Sequence, residues 1–147
     1  MIFPVKYVNL FDRKIEITRT NLKGCVNNDF YFNDKLFEGG TKNYTDMWGL
    51  TSHGGWDLTT FFREPCVNVD DGRVLYAKRQ VSNGVDYGNL VIVLHDGFQT
   101  IYRHLDEIIV AEGQTVMAGV TLGYCGHTGF AFRDHLHFEI RPANQLG

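Results

Sequence analysis

Two histidines separated by a single residue lie near the end of the chain, in the run His135-Leu136-His137-Phe138-Glu139-Ile140. Because side chains alternate across a β-strand, a strand here would place both imidazoles and the Glu139 carboxylate on one face and the apolar side chains on the other. Imidazole nitrogens bind zinc and exchange protons near neutral pH. The run therefore predicts two nitrogen donors held side by side on a stiff, apolar platform.

A second group of candidate ligands lies far upstream, in His53-Gly54-Gly55-Trp56-Asp57. A straight strand would separate His53 from Asp57 by about 13 Å, which is too far to share an ion whose bonds are about 2.0 to 2.2 Å long. The two glycines permit a sharp backbone bend that would bring the side chains together. With one histidine of the later pair, His53 and Asp57 make three protein ligands and leave a fourth position open for water, as in catalytic zinc sites.

Two histidines remain outside this ligand set: the other member of the pair, and His104 near the end of another predicted strand. Imidazole can accept or donate a proton near neutral pH, so both could serve as proton-transfer or oxyanion groups beside the metal. Together the two upstream ligands and the histidines favour a zinc hydrolase.

Each of these patterns can also be explained by a structural role, without metal binding or catalysis. Alternate histidines in isolation more often form the polar face of an amphipathic strand, and a single histidine–aspartate spacing is weak. We expect His95 to be a solvated residue at a hairpin tip and His127 to be a structural residue of its glycine loop. Core or loop packing is expected for the aromatic residues Trp48, Trp56, Phe61, Phe62, Phe130 and Phe132.

The chain has 147 residues, of which 44% are hydrophobic, enough for one domain that buries its own core. We predict a single domain over residues 1–147, with a loop-rich segment over about 1–50 and a catalytic core over about 50–142. The three cysteines include no C-x-x-C pair, which predicts buried thiols at Cys25, Cys66 and Cys125.

The formal net charge is −3, from 14 basic and 17 acidic residues without a run of either sign. This argues against a nucleic-acid partner and against an arm that binds membranes. The chain shows no export signal and no stretch of 18 apolar residues. If the chain works outside a cell, we therefore expect release by lysis, carriage on a virion, or a place in a longer exported protein.

From Asp70 onward, short β-branched runs alternate with turn residues, which predicts an all-β fold without helices. Asp96-Gly97 predicts a hairpin between a central apolar strand and its antiparallel return strand. The predicted strands lie at 73–77, 89–95, 98–105 and 135–140, with two short ones within 110–123. Residues 106–109 are predicted to be a connector, and 1–50 to be irregular loops apart from a short strand at 14–18.

Seven short motifs follow one another along the chain between residues 50 and 142. They are His53-x-Gly55-x-Asp57, Asp71-Gly72-Arg73-Val74, Tyr87-Gly88-Asn89, Tyr102-Arg103-His104-Leu105, Val110-x-x-Gly113-Gln114-x-Val116-x-Ala118-Gly119, Gly126-x-Thr128-Gly129 and the paired-histidine run. In order and spacing, this series resembles the lysostaphin-type (LytM-like) zinc metalloendopeptidases, which cut peptide bonds in the stem peptides or cross-bridges of bacterial peptidoglycan.

The resemblance implies an antiparallel β-sheet core of the duplicated hybrid motif kind, with irregular loops walling a groove. It implies that His53, Asp57 and His137 hold one zinc ion per chain and that His104 and His135 are the catalytic histidines. Peptidoglycan is the implied partner, and we expect a monomer that acts on the bacterial cell wall. A phage or prophage lysin, or part of one, is the expected source, and an autolysin fragment is the competing one.

Two other classes of protein compete with this hypothesis. The glycine-punctuated segment 110–123 also resembles the half-barrel of biotinyl or lipoyl carrier domains, but its hairpin tips carry no lysine to accept the cofactor. The other is a non-catalytic peptidoglycan-binding scaffold or activator, which would bind the wall without cutting it and is favoured if the metal proves absent.

Overall fold

The computed structural model describes residues 2–10, 12–18, 28–32, 35–37, 42–43, 56–129, 131 and 133–143. Within these ranges the chain forms thirteen β-strands and no helix, so none of the described residues belongs to a helix that could cross a membrane. The prediction of an all-β fold is confirmed. That residues 1–147 form one domain stays a prediction.

Eight of the strands form one antiparallel sheet. The thirteen strands are β1 (Tyr7–Leu10), β2 (Arg13–Glu16), β3 (Asn28–Phe32), β4 (Lys35–Phe37), β5 (Lys42–Asn43), β6 (Trp56–Thr59), β7 (Pro65–Val67), β8 (Gly72–Ser82), β9 (Val85–Leu94), β10 (Phe98–Ile108), β11 (Thr115–Val116), β12 (Thr121–Cys125) and β13 (His135–Pro142). The strand order in the eight-stranded sheet is β11-β8-β9-β10-β12-β7, and β13 pairs with both β10 and β6.

The predicted hairpin at Asp96-Gly97 joins β9 to β10, with Gln99 opposite Leu94. Gly97 has a φ of 83°, a conformation that glycine adopts without the steric cost of a Cβ. The hairpin prediction is confirmed, but β10 continues to Ile108 and the predicted connector at 106–109 is largely wrong. A bulge between Arg103 and Leu105 lets the strand continue, and beyond it β10 pairs with β12.

The alternation predicted for the paired-histidine run is present in β13. Leu136, Phe138 and Ile140 are buried in the main core, at 0%, 1% and 4% exposure. Burying side chains of this size stabilises the fold by about 1.5–3 kcal/mol each. The intervening histidines consequently lie on the opposite face of a strand that the core holds in register.

The N-terminal region departs from the prediction of irregular loops. The predicted strand at 14–18 is close to β2, which pairs with β1. Three further strands, β3 to β5, form a small sheet in which β3 runs antiparallel to β4 and parallel to β5. Pairing with neighbours, rather than an alternating apolar pattern of their own, defines these short strands. The intervening residues, including Cys25, lie outside the described ranges, whereas Cys66 and Cys125 are buried free thiols as predicted.

His95 is buried, at 7% exposure, so the prediction of a solvated turn residue is wrong. Its ring lies 4.6 Å from that of Phe98. Its Nδ1 donates to the Asp71 carbonyl at 2.9 Å, and its Nε2 is 2.7 Å from the Thr100 hydroxyl. Since both nitrogens have partners, burial of the ring is compatible with a stable fold.

The buried ring of His95 predicts a specific dependence of stability on pH. Burial lowers the pKa of His95 below its usual 6.5, although Asp70 and Asp71 partly oppose this. The unfolded chain therefore takes up the proton first, so the stability due to neutral His95 is full above pH 6.5 and is lost as the pH falls.

In urea unfolding at pH 7 and pH 5, the parent should lose more stability between the two pH values than His95→Gln, whose side chain does not ionise. At pH 7 the variant should be about 1–3 kcal/mol less stable, because hydrogen bonds of the buried ring are lost. Equal losses in parent and variant would show that His95 does not titrate on unfolding.

Candidate active site

The fold brings four of the five predicted site residues together. Asp57 lies on β6 directly opposite His137 on β13, and His137 in turn lies opposite Arg103 on β10. His104 follows on β10, and its ring centroid lies 4.7 Å from that of His135 and 6.4 Å from that of His137. The fifth predicted residue, His53, lies outside the described ranges.

Asp57 and His137 are in direct contact. The Nδ1 of His137 donates to Oδ1 of Asp57 at 2.6 Å, and the two side chains retain 21% and 24% exposure. On the other side of the ring, Nε2 lies 3.2 Å from Oε1 of Glu139, which also pairs with Arg141. Glu139 thus contacts His137, with which the sequence predicts that it shares one face of the strand.

The two carboxylates favour a protonated His137 in the metal-free chain. Burial favours the neutral ring, but the hydrogen bonds and charges of Asp57 and Glu139 outweigh it and raise the pKa of His137 to about 9. Burial likewise opposes ionisation of both carboxyls, yet the contact with His137 lowers the pKa of Asp57 and brings that of Glu139 to about 2. A cation bound between Asp57 and His137 would take the place of the proton that they share.

The chemistry of this pair fits zinc. Carboxylate oxygen and imidazole nitrogen are both normal zinc ligands, and the two donor atoms already converge. The described residues contain no group of three histidine, cysteine or carboxylate side chains that could hold a metal. A third protein ligand would therefore have to come from residues beyond those described, and His53 is the one that the sequence predicts.

His104 sits at the bulge of β10 with a φ of 69°, a left-handed conformation that is uncommon for residues other than glycine. Its Nδ1 donates to the Thr128 carbonyl at 2.7 Å. Burial, with the nearby His135 and His137, lowers the pKa of His104 to about 4 against the opposing effect of this hydrogen bond. The ring is therefore neutral at pH 7, and Nε2 is the nitrogen with a free lone pair.

His135 has the same arrangement as His104. Its Nδ1 donates to the Arg133 carbonyl at 3.0 Å, which leaves Nε2 as the acceptor of the neutral ring. Two adjacent imidazoles thus have their Nδ1 atoms engaged by the backbone, and both can use Nε2 for proton transfer.

A network around Thr128 supports the strained backbone of His104. The Thr128 hydroxyl donates to Leu105 O at 2.8 Å and accepts from the Asn89 backbone N–H at 3.0 Å. The Asn89 side chain donates to Leu105 O and Asp106 O, at 2.8 and 3.2 Å. A Cβ at Gly88 would collide with Thr128. These residues lie in the sequence motifs given above. Their role could not be assigned from the sequence, because hydrophobic periodicity does not indicate the bulge that they support.

Replacing Thr128 by Val removes its hydroxyl while keeping its shape, and should loosen the support of His104. We expect a loss of about 1–3 kcal/mol in the free energy of unfolding, because buried partners lose their hydrogen bonds. In NMR spectra, the Nδ1–H of His104 should exchange faster with solvent. Thr128→Ser should retain both properties of the parent, and a His104 signal that is unchanged in Thr128→Val would contradict this role.

Other predicted residues fall outside this cluster. His127 pairs with Asp134 at 2.8 Å across its loop, which fits the structural role expected of it. Phe62 is 53% exposed and its ring centroid lies 6.0 Å from that of His127, so of the two expected kinds of packing it has loop packing and not core packing. Trp48, Phe130, Phe132 and the side chain of Trp56 lie outside what the structure describes.

Comparison with known proteins gives the class to which this fold and site belong. The model of peptidase family M23 matches residues 51–146. The chain therefore belongs to peptidase family M23, as the resemblance to lysostaphin-type enzymes implied.

Two curated relatives differ in their described roles. Peptidoglycan DD-endopeptidase ShyB of Vibrio cholerae is 33% identical over 97 residues, which are 65% of this chain and 22% of that protein. Murein hydrolase activator NlpD of Salmonella dublin is 39% identical over 88 residues, 59% of this chain and 22% of that protein. The matched part thus spans about a fifth of the length of either relative.

Two solved structures share the fold. The catalytic domain of the antimicrobial peptidase lysostaphin from Staphylococcus simulans superposes with a TM-score of 0.58 and 26% identity, covering 65% of this chain and 71% of that one. A zinc-containing peptidase from Vibrio cholerae superposes with a TM-score of 0.56 and 31% sequence identity, and the match covers 67% of this chain and 31% of that one. The predicted lysostaphin-type fold is confirmed.

Proposed function

We propose that this chain is a zinc-dependent endopeptidase that hydrolyses peptide bonds in the stem peptides or cross-bridges of bacterial peptidoglycan. The observation that carries the proposal is the contact of Asp57 with His137 beside the paired rings of His104 and His135. Membership of a peptidase family and the likeness to a zinc-containing peptidase support it. In this proposal His53, Asp57 and His137 hold one zinc ion per chain.

When bound, zinc supplies Lewis acidity, which polarises a peptide carbonyl and favours deprotonation of water. His104 and His135 carry the proton transfers. One of them, as a neutral ring, accepts a proton from the attacking water at Nε2. The other, once protonated, donates from Nε2 to the developing oxyanion or to the leaving amine.

The backbone hydrogen bonds of His104 and His135 fix which nitrogen each ring presents. Because Nδ1 donates to a carbonyl in both cases, neither ring has to change tautomer before it acts. Glu139, held by Arg141, contacts Nε2 of the His137 ring and so orients Nδ1 toward Asp57. The chain's own contribution is thus orientation and proton transfer.

The relatives suggest where the protein works. Peptidoglycan is the substrate named for ShyB, and lysostaphin is an antimicrobial peptidase. We therefore propose action on the bacterial cell wall by a monomer, as a phage or prophage lysin or part of one. Lysis, a virion or a longer exported protein would bring the chain to its substrate.

A digestion experiment tests this function. Purified chain is incubated with cell walls of known cross-bridge type, with chelator, and with chelator followed by zinc, and the released fragments are identified by mass spectrometry. We expect new amino termini at one kind of peptide bond, their loss with chelator and their return with zinc. Release that is insensitive to chelator, or no release from any wall, would contradict the proposal.

The likeness to NlpD favours a second candidate, a murein hydrolase activator that does not itself cut the wall. Such a protein would release no fragments alone and would increase release by a separate murein hydrolase. The presence of Asp57, His104, His135 and His137 in one cluster favours the enzyme, because an activator has no need of this donor set.

A further inference from the structure

Arg103 lies in a cross-strand row with the candidate metal ligands. Lys78, Leu90, Arg103, His137 and Asp57 are successive register partners on β8, β9, β10, β13 and β6. Directly opposed residues share one face of a sheet, with Cβ atoms about 4.5–5.5 Å apart. Arg103 therefore stands beside His137 on the face that carries the site.

The described residues around Arg103 offer few groups that could balance its positive charge or accept its hydrogen bonds. The side chain is partly buried beside Leu90, which is only 1% exposed. Its Nη1 donates to Oε1 of Gln80 at 2.7 Å, and Gln80 is the only hydrogen-bond partner that the described residues give it. Glu139 lies close enough to favour the charged form, but its carboxylate is taken by His137 and Arg141.

A guanidinium has five N–H donors in a fixed fork, and here a neutral amide accepts from one of them. Among the described residues no carboxylate hydrogen-bonds to Arg103, and a partly buried cation in this situation is costly unless a ligand completes its hydrogen bonds. Since the fork matches a carboxylate in two parallel hydrogen bonds, a planar anion is the ligand that would complete them.

We infer that Arg103, held by Gln80, binds a free carboxylate of the peptide substrate close to the bond that is cut. This inference rests on the proposed function and narrows it to acidic peptides, such as stem peptides with free carboxylates, rather than neutral oligoglycine bridges. Arg103 acts here in binding and specificity.

Binding of two matched peptides tests the inference independently of hydrolysis. The probes are a soluble peptidoglycan stem pentapeptide and the same peptide with its carboxylates converted to carboxamides. The full chain carries His135→Ala, which slows cleavage during calorimetry. We expect the acidic peptide to bind at least about tenfold more tightly, the scale of a hydrogen bond to a charged group.

Adding Arg103→Gln should remove this preference by lowering the affinity for the acidic peptide alone. Arg103→Lys in its place should restore part of the preference. Arg79→Gln is the matched control, because Arg79 is an exposed arginine paired with Asp86, and this variant should keep the preference. Equal affinity of the two peptides in the parent background, or equal loss for both peptides in Arg103→Gln, would overturn the inference. Digestion of cell walls by the unmodified chain is scored separately and decides the proposed function, whereas the affinities alone decide the role of Arg103.

Discussion

Asp57→Ala is expected to lose its metal and its hydrolytic activity together. Asp57 contributes the carboxylate that lies 2.6 Å from His137 Nδ1, and removing it would leave two histidines, which bind zinc weakly. Elemental analysis should find little zinc per chain, and fragment release from cell walls should fall to the level of the chelator-treated parent.

The control for this variant is Asp86→Ala, which removes an exposed carboxylate that is paired with Arg79. It should retain the zinc and activity of the parent. Circular dichroism should show that both variants fold, since neither Asp57 on β6 nor Asp86 on β9 is among the buried core residues. Full zinc occupancy in folded Asp57→Ala would contradict the ligand assignment.

His104→Ala and His135→Ala should each lower the rate of peptidoglycan hydrolysis by at least about 10², the usual scale of acid–base assistance. Zinc content should stay near one per chain, because neither ring is among the proposed ligands. The measurement is the initial rate of release of new amino groups from purified cell walls, alongside elemental analysis of the same preparation.

His127→Ala is the matched control, because this histidine pairs with Asp134 and the sequence gives it a structural role. Its zinc content and rate should stay close to those of the parent. A His104→Ala or His135→Ala variant that digests walls as fast as the parent would show that its assigned role is wrong. Loss of zinc in either would show instead that the ring belongs to the ligand set.

The sheet around the site was predictable because its signals are local. Leu136, Phe138 and Ile140 alternate with polar residues, so their burial in the core fixes the face on which the histidines lie. The Asp96-Gly97 turn fixes the pairing of β9 with β10 in the same way.

The environment of His104 was not predictable from the same signals. A bulge depends on how two strands meet, and neither the left-handed backbone of His104 nor the Thr128 contacts that stabilise it leave a periodic trace in the sequence. His95 was misplaced for a related reason. Its position before a turn indicates exposure. Its burial is possible because its ring nitrogens bond to the Asp71 carbonyl and the Thr100 hydroxyl, which only the folded chain brings close to it.

The short strands of the N-terminal region could not be predicted from the sequence, because they are defined by hydrogen-bonded pairing with one another and not by their amino-acid composition. β3 and β5, for example, pair in parallel over two residues each. The same reasoning explains why the family resemblance could propose Asp57 and His137 as ligands of one ion without showing that they touch. Their contact depends on β6 and β13 being neighbours in register.

Diffraction from crystals grown with zinc, recorded on both sides of the zinc absorption edge, tests the metal site most directly. We expect one anomalous peak per chain, within bonding distance of Oδ1 of Asp57 and Nδ1 of His137, with His53 as the third protein ligand. A crystal grown with zinc in which Asp57 and His137 keep their hydrogen bond, with the peak elsewhere or absent, would contradict this assignment.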